Sequence, residues 1–219
     1  MTSLQVPCVP LCREAIIGTG LRCTTMKRQA ETPLPTAFGM FRMIAYSEKS
    51  GDRMPHLALT AEGFDPSRPV PVRIHSECMT GDVFGSRRCD CGQQLHTALQ
   101  MAAQSGGVVI YLRQEGRGIG LINKLKAYNL QDMGLDTVEA NTHLGFEADA
   151  RQYDCAVAIL DDLGICCVEL MTNNPSKVEA LKQSHIEVVR RIPLVIPPEE
   201  DNREYLQTKQ DVMGHFLGL

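Results

Sequence analysis

The sequence predicts a mixed α/β (α+β) fold, in which a small β layer around residues 32–92 packs on an α/β unit at about residues 93–197. Short strand-type segments, separated by linkers that contain proline and glycine, fill the first part. In the second part, strand-type and helix-type segments alternate. The 219 residues are 43% hydrophobic and 22% charged, so the chain is ordinary in composition and large enough for a proper core.

The β layer is predicted from three short segments. These are a strand from about Gly39 to Tyr46, a second strand at residues 56–60 and a third at residues 70–76. The linkers SEKSGDRMP and AEGFDPSRP lie between them and carry polar residues, glycine and proline, which end regular structure. A cysteine-rich segment follows the third strand, and loops held by a sheet commonly carry functional residues.

The α/β unit begins with a helix at residues 93–107, which has apolar residues on one face and is closed by glycines. VVIYLR at residues 108–113 is a continuous apolar run, typical of a buried strand. The glycine-rich turn QEGRGIG then leads into a helical stretch at residues 121–134. In this arrangement backbone N–H groups can meet a phosphate or carboxylate, although GRGIG matches neither the dinucleotide fingerprint nor the Walker motif.

The remaining segments continue the alternation. They are a helix from about Asp149 to Leu163, a strand at residues 165–172, a strand at residues 186–196 and a final helix at residues 202–217. Another helix lies between the two strands, where Asn174 predicts an N-cap and Pro175 predicts the first helical position.

Charge and composition argue against nucleic-acid and membrane partners. The net charge is −4, aromatic residues make up 5% and tryptophan is absent, so the chain lacks a basic field and aromatic platforms for bases. No apolar run approaches the roughly 20 residues that a membrane span needs. Nine cysteines in a chain of this length favour metal binding in a reducing, cytoplasmic location over a disulfide scaffold.

Residues 1–31 are predicted to form a disordered N-terminal extension, and residues 32–219 to form one domain. The first 27 residues show no clear period and contain one acidic residue, Glu14. Because this segment is basic and poor in acids, an organellar transit peptide is an alternative. Upstream sequence read through to a start at Met26 is another.

The stretch from Arg73 to Gly92, RIHSECMTGDVFGSRRCDCG, carries three cysteines with the spacing C-x10-C-x-C. They are Cys78, Cys89 and Cys91. Three thiolates can hold a zinc ion, which a structural site closes with a fourth protein ligand and a catalytic site leaves open to water. His75 and His96 are the nearest candidates for a fourth ligand. Buried reduced thiols are a third interpretation, which the charged neighbours of the cysteines disfavour.

Five motifs then occur in order along the chain. They are HSECMTGD, RCDCG, RQEGRGIGL, the DTVEAN-x-x-LGF run and LMTNNPSK. Together they resemble GTP cyclohydrolase II, over about Pro33 to Leu217, and five motifs at family-like spacing are highly specific. The resemblance implies a GTP cyclohydrolase II-like fold, with residues 32–219 as the catalytic domain. It also implies the monofunctional form, because the sequence contains no dihydroxybutanone-phosphate synthase domain.

The resemblance implies zinc-dependent hydrolysis of GTP, the first committed step of riboflavin biosynthesis. Zinc-bound water would attack C8 of guanine, the ring would open and formate would leave. An arginine would attack the α-phosphorus and release diphosphate. The product would be 2,5-diamino-6-(5-phospho-ribosylamino)pyrimidin-4(3H)-one, unless the reaction stops at the formylated, ring-opened intermediate. The family further implies one Zn²⁺ per subunit, Mg²⁺ with the triphosphate, and a homodimer.

Functional residues follow from the matching positions. The resemblance makes Cys78, Cys89 and Cys91 the zinc ligands. It makes Asp149 a base, Arg151 the nucleophile and Tyr128 the tyrosine of the ring-opening step. The implied substrate contacts are Arg73, Ile74, His75, Ser76, Glu77, Gln94, Glu115, Gly116, Arg117, Thr137, Thr172 and Lys177. Among these, Arg73 suits a phosphate and Glu77 suits the N–H groups of guanine.

Plainer interpretations of the same residues stay open on pattern alone. Tyr128 continues an apolar helix face and fits a core residue. Asp149 fits a helix N-cap, Arg151 a solvated first-turn residue and Lys177 a solvated surface lysine. Two other functions also compete: a nucleotide-binding or regulatory module with a structural zinc, and a zinc-finger nucleic-acid binder. The second lacks the usual finger ligands and a net basic charge.

Overall fold

The structure is a computed structural model that describes residues 26–147 and 149–219. Within these residues the strands are β1 (Lys27–Thr36), β2 (Gly39–Ser47), β3 (His56–Ala61), β4 (Val70–Ser76), β5 (Val108–Leu112), β6 (Cys167–Met171) and β7 (Glu187–Ile192). They form one sheet in the order β1-β2-β3-β5-β4-β6-β7. Neighbours from β1 to β5 are antiparallel, whereas β5, β4, β6 and β7 run parallel.

Helices connect and cover the strands. They are α1 (Met79–Asp82), α2 (Cys91–Ser105), α3 (Gly120–Gln131), α4 (Thr137–His143), α5 (Asp154–Asp162), α6 (Pro175–Lys182) and α7 (Arg203–Asp211). Local chemistry explains several ends. Asp136 and Glu139 form a capping box at the start of α4. Asn174 caps α6 with Pro175 at its first position, as predicted.

The two faces of the sheet are covered by different helices. On one face, Ala98 and Ala102 of α2 are fully buried and let the helix pack closely on β2, β3 and β5. On the other face, Ile159 and Leu160 of α5 belong to the larger core. Side chains alternate along a strand, so β4 directs Val72 and Ile74 into this larger core and turns Arg73 toward α2, where it bonds to Gln94.

The mixed α/β class is confirmed, and the two predicted parts share one sheet. β5 pairs antiparallel with β3 and parallel with β4. The β layer and the α/β unit therefore meet edge to edge and are not stacked as two layers. The reason lies in β4, which is buried along most of its length, as expected of an inner parallel strand and not of a strand with one solvated face.

Element boundaries differ from the prediction at both ends of the chain. β1 begins at Lys27, inside the predicted extension, and residues 1–25 lie outside the described part. It is an exposed edge strand, which tolerates its two prolines. The last helix ends at Asp211, because Gly214 takes a left-handed conformation beyond it.

Two expectations from composition meet different outcomes. Across the described residues, no helix is both long and apolar enough to cross a lipid bilayer. Cys166 and Cys167 are disulfide-bonded, whereas the composition favoured reduced thiols.

The topology places a switch point at β4. The chain leaves β4 through α2 to pair β5 on one side, and it later returns to the other side of β4 as β6. Parallel strands of this kind bind ligands beyond their carboxyl ends, at the point where the strand order reverses. The segments that follow Ser76, Leu112 and Met171 are therefore brought to one edge of the sheet.

Candidate active site

A large cavity opens at this edge, with about 1020 Å³ of empty space when its mouth is included. Segments that follow β4, β5 and β6 line it, together with α3 and residues of α7 and beyond. The predicted site residues on its wall are Cys78, Cys89, Cys91, Tyr128, Arg151, Arg73, His75, Ser76, Glu77, Gln94, Glu115, Gly116, Arg117, Thr137, Thr172 and Lys177. Ile74 and Asp149 do not line it. The motifs that are far apart in sequence thus converge on one site.

The three cysteines form a compact group on the cavity wall. Their sulfur atoms all lie within 4.8 Å of one another, and Cys78 Sγ is 3.6 Å from Cys89 Sγ. Hydrogen bonds from Cys89 and Cys91, with the nearby Lys124 ammonium, hold the pKa of the Cys78 thiol far below its usual range. A thiolate is thus available where a cation would bind.

This group fits a zinc ion. Sulfur atoms about 2.3 Å from a tetrahedral zinc lie about 3.8 Å apart, close to the spacing of the pair above. Among the described residues, the group of possible ligands contains no histidine, aspartate or glutamate. His75 Nε2 instead bonds to Asp82 at 3.1 Å, and the ring of His96 packs 5.5 Å from that of Phe38. Neither histidine closes the site.

Gly81 leaves room for the sulfurs. A Cβ at this position would lie 2.9 Å from Cys89 Sγ and 3.3 Å from Cys78 Sγ, closer than side-chain carbons normally come. The backbone of Gly81 is not in the left-handed region, so its conformation alone would admit an alanine, and only the crowding of the sulfurs opposes one. The residue is therefore glycine because the cysteine group needs its space.

We expect Gly81→Ala to lower zinc affinity by about tenfold or more, because the sulfurs must move apart to admit the methyl group. A competition titration with a zinc chelator measures it. Gly85→Ala is the control: Gly85 follows α1, and a Cβ there meets no atom within 4 Å, so this variant adds backbone strain without crowding the sulfurs. Wild-type zinc affinity in Gly81→Ala would contradict the claim that a methyl group at this position forces the sulfurs apart.

The cavity wall is strongly cationic, although the chain as a whole carries a charge of −4. Its cations are Arg73, Arg117, Lys124, Arg151, Lys177 and Lys209. The acids on the same wall are Glu77 and Glu115. Burial and four of these cations lower the pKa of His215 to about 3, so its imidazole stays neutral. Such a field suits a ligand with several negative charges.

Arg73 and Gln94, both predicted to contact substrate, bind each other. The Nη2 of Arg73 donates to Gln94 Oε1 at 2.6 Å, and its Nη1 donates to the carbonyl oxygen of Met171 at 3.1 Å. Burial lowers the pKa of Arg73 to about 10, which leaves it charged at neutral pH. A buried, oriented guanidinium therefore faces the cavity.

Lys177 is buried, which excludes the solvated surface lysine considered above. Its ammonium donates to the carbonyl oxygen of Ile74 at 2.7 Å. Burial, with Arg73 and Arg151 nearby, holds its pKa well below the usual range. Ile74 itself is fully buried, so it contributes this carbonyl and not a side chain to the site.

Asp149 and Arg151 form a forked ion pair. Arg151 Nε donates to Asp149 Oδ1 at 2.7 Å, and its Nη2 donates to the second carboxylate oxygen. Burial alone would lower the pKa of Arg151, but the bonds to Asp149 outweigh burial and raise it. α5 begins only at Asp154, so Asp149 is not its N-cap. Of the two residues, only Arg151 lines the cavity.

Tyr128 stands beside the cysteine group on α3. Its hydroxyl lies 3.4 Å from Thr80 Oγ1, and the ammonium of Lys124 lies 5.8 Å from its ring centre. Burial raises its pKa to about 12, so the phenol keeps its proton at neutral pH. Tyr128 therefore presents a protonated phenol on the cavity wall and is not a core residue.

The glycine-rich turn after β5 has an unusual backbone. Gly116 and Arg117 both take left-handed conformations, and Arg117 is the one non-glycine residue of the described chain with a positive φ. Glu115 anchors the turn to the cysteine segment, because its carboxylate accepts from Met79 N at 2.6 Å and from Lys124 Nζ at 2.8 Å. The turn carries Arg117 into the cavity.

Three other predicted substrate contacts already have partners within the protein. Glu77 is paired with Arg113 at 2.8 Å, and burial raises the pKa of its carboxyl. His75 is buried and stacks on Tyr111, and burial lowers its pKa. Thr172 Oγ1 accepts from Asn174 N at 3.0 Å. These groups are held by the protein before any ligand enters.

Several site residues were missed from sequence. Lys124 Nζ lies 3.1 Å from Cys78 Sγ, and its position one helical turn before Tyr128 could have placed it on the same face. Asp82 accepts from Cys78 N at 2.9 Å and so fixes that ligand. Tyr205, Lys209, Met213 and His215 also line the cavity. No local pattern marks these last residues, because the fold alone brings the C-terminal segment here.

Comparisons with known proteins agree with this site. The family model described as GTP cyclohydrolase II matches residues 27–193. The riboflavin biosynthesis protein RibBA of Bacillus cereus is 54% identical over 197 residues, which are 90% of this chain and 49% of that protein. RibBA of Chlorobium phaeovibrioides is 53% identical over 90% of this chain and 48% of its own length. The chain spans about half the length of the curated relatives it matches.

Among solved structures, one similar chain is RibBX, a two-domain 3,4-dihydroxy-2-butanone 4-phosphate synthase from A. baumannii. The match has a TM-score of 0.43 and 21% identity, over 76% of this chain and 40% of that chain. This likeness is too distant to bear on the site. The family model, in contrast, spans most of the chain and contains all five motifs that build the cavity wall, and the chain belongs to the GTP cyclohydrolase II family.

Proposed function

We propose that the chain hydrolyses GTP to 2,5-diamino-6-(5-phospho-ribosylamino)pyrimidin-4(3H)-one, formate and diphosphate, the first committed step of riboflavin biosynthesis. One observation carries the proposal: three convergent thiols, a tyrosine and a carboxylate-bound arginine meet in one cationic cavity. The family supplies GTP as the substrate class. A cavity with six cations and two acids on its wall suits the triphosphate, with Mg²⁺ accompanying it.

The three cysteines would hold one Zn²⁺ per subunit. When bound, the ion lowers the pKa of water and supplies a nucleophile for C8 of guanine near neutral pH. Three protein ligands leave one tetrahedral position for that water, as in catalytic zinc sites. Asp82 would keep Cys78 in place through its bond to the Cys78 N–H group. A module with a closed structural zinc is disfavoured, because the described residues offer no fourth ligand.

Tyr128 would give a proton to the imidazole nitrogen as the ring opens. Its raised pKa keeps the phenol protonated at neutral pH, and from its position beside the cysteine group it would reach a base bound at that group. The ammonium of Lys124, 5.8 Å from the centre of the tyrosine ring, would stabilise the phenolate left by the transfer, and water would then return the proton to it. The tyrosine acts on the base and not on the phosphates.

We expect Tyr128→Phe to slow formate release by about a hundredfold or more, while GTP binding changes by less than about threefold. The ring and its contacts with Lys124 and Arg88 remain, so only the phenolic hydroxyl is lost. Single-turnover formate release and equilibrium GTP binding measure the two effects. Tyr46→Phe is the control, because it removes a hydroxyl that bonds to Asp162 and does not line the cavity. An unchanged rate of formate release would mean that Tyr128 contributes only to packing.

Arg151 would attack the α-phosphorus. A bond forms between a guanidinium nitrogen and phosphorus, the bond to diphosphate breaks, and the departing diphosphate keeps the electron pair. The nitrogen loses a proton, which Asp149 can accept because it already bonds to that guanidinium. Water then cleaves the nitrogen–phosphorus bond and restores the arginine. Lys177, buried nearby, would donate a hydrogen bond to the phosphates.

Incubation with GTP, Zn²⁺ and Mg²⁺, followed by mass analysis, tests the proposal. Formate, diphosphate and the diaminopyrimidinone are the expected products. A product that retains the formyl group would mean that the reaction stops at the ring-opened intermediate. Stoichiometric GTP binding with no product would instead favour the nucleotide-binding module and overturn the hydrolase.

We also propose a homodimer in the cytoplasm. Large apolar side chains are exposed just after α1, on α3 and just after α3, and exposed apolar surface commonly marks an interface. They are Val83, Phe84, Ile122, Leu125 and Met133. A solution mass equal to one chain would contradict the dimer. The predicted division into an extension (residues 1–31) and a catalytic domain (residues 32–219) stays a prediction, except that residues 27–31 belong to β1.

A further inference from the structure

The C-terminal segment forms one wall of the cavity. Tyr205 and Lys209 lie one turn apart on α7, and Met213 and His215 follow it. The segment is docked firmly: Leu206 and Leu217 are buried, and Phe216 N donates to Asn173 O at 2.9 Å. The family model ends at residue 193, so none of these side chains belongs to the matched motifs.

Lys209 connects this wall to the cysteine group. Its ammonium donates to Asp90 Oδ1 at 2.9 Å and lies 4.3 Å from the centre of the Tyr205 ring. Asp90 is 1% exposed and stands between Cys89 and Cys91 in sequence. The turn that carries two of the three sulfurs is therefore tied to a helix more than a hundred residues later in the chain.

The contact continues into the substrate side of the site. The second oxygen of Asp90 accepts from the side-chain amide of Gln94, whose own oxygen accepts from Arg73 Nη2. Arg73 in turn donates to the carbonyl oxygen of Met171, at the end of β6. One chain of hydrogen bonds thus runs from α7, through the Cys89–Cys91 turn and α2, to the middle of β4 and the end of β6.

From this geometry we infer that Lys209 is a positioning residue, through which α7 fixes the Cys89–Cys91 turn by holding Asp90. The inference rests on the proposed function, since it assumes that the cysteines hold zinc. Partners that orient metal ligands commonly affect metal affinity by ten- to hundredfold when they are removed. Lys209 has this relation to the turn, although it is not a ligand itself.

The test measures zinc affinity in the full chain by chelator competition under reducing conditions, without GTP. Lys209→Met is expected to raise the zinc dissociation constant by about ten- to hundredfold. Lys209→Arg keeps a cation within reach of Asp90 and is expected to recover most of the affinity. Lys182→Met, which removes the same charge from an exposed position on α6, is the control and should bind zinc normally.

A buried aspartate left without its partner can unfold a protein. The double variant Asp90→Asn with Lys209→Met removes both charges, and so it should keep a thermal midpoint near that of the wild type. It is still expected to bind zinc about ten- to hundredfold more weakly. Wild-type zinc affinity in the double variant, or in a folded Lys209→Met, would overturn the inference.

GTP turnover by the wild type, assayed in parallel, separates this inference from the function. Zinc binding without GTP turnover would refute the proposed hydrolase function, and the comparison of zinc affinities would still test the role of Lys209. A wild type that holds no zinc would overturn both.

Discussion

Replacing Cys89 with serine is expected to remove about one equivalent of zinc and to lower formate release by more than about a thousandfold. A serine hydroxyl stays protonated at neutral pH and is a poor zinc ligand, so two sulfurs would remain where three are needed. Cys89 is buried beside Cys78, with their sulfurs 3.6 Å apart, and no other described ligand could take its place. Metal analysis of the purified protein and a formate assay measure the two losses.

Cys155→Ser is the matched control, because Cys155 does not line the cavity. It should keep its zinc and its activity. Full zinc content in Cys89→Ser, or formate release by metal-free wild type, would exclude the zinc mechanism. Thermal unfolding should accompany both measurements, since a lost metal also lowers the stability of the loop that binds it.

Replacing Arg151 with alanine is expected to lower diphosphate release by at least about a thousandfold, because loss of the nucleophile removes the covalent route. The side chain is 12% exposed and is oriented by two bonds to Asp149, so no neighbouring arginine can take over its position. Asp149 is left without its partner but is 24% exposed, so water can solvate it. A coupled diphosphate assay measures the loss.

Arg190→Ala is the control, since Arg190 forms an exposed ion pair with Glu169 and surface pairs of this kind contribute little. Diphosphate release at the native rate in Arg151→Ala would show that another group attacks phosphorus. Arg151→Lys adds a further check. It keeps the positive charge but loses the fork that Asp149 binds, so it should stay nearly inactive.

The fold class could be predicted because local patterns mark most elements. Apolar runs identify β4, β5 and β6, and Asn174 with Pro175 marks the start of α6. β1 could not be found, since an exposed edge strand with two prolines carries no apolar period. The single sheet could not be found either, because the pairing of β5 with both β3 and β4 depends on long-range packing.

The site, like the fold, could be predicted only in part. Motif spacing and the family resemblance identified residues that the structure brings together, from the cysteine group to Lys177. They did not identify Asp82, Asp90 or Lys124 as site residues, because the contacts that give each a role form only in the fold, such as Asp90 with Lys209 and Lys124 with Cys78. Nor did they indicate the α7 wall, because a tyrosine and a lysine on an ordinary amphipathic helix carry no signal of their own.

The strand order has a consequence for synthesis on the ribosome. Cys78, the first of the three clustered cysteines, lies two residues beyond the end of β4, yet the neighbours of β4 in the sheet, β5 and β6, both come later in the chain. Until translation reaches about Leu112, β4 has no neighbouring strand with which to pair. All three cysteines of the cluster have been translated by then. We therefore expect newly made protein to pass through an interval in which its cysteines are open to oxidants, before the emerging β5 gathers them into place.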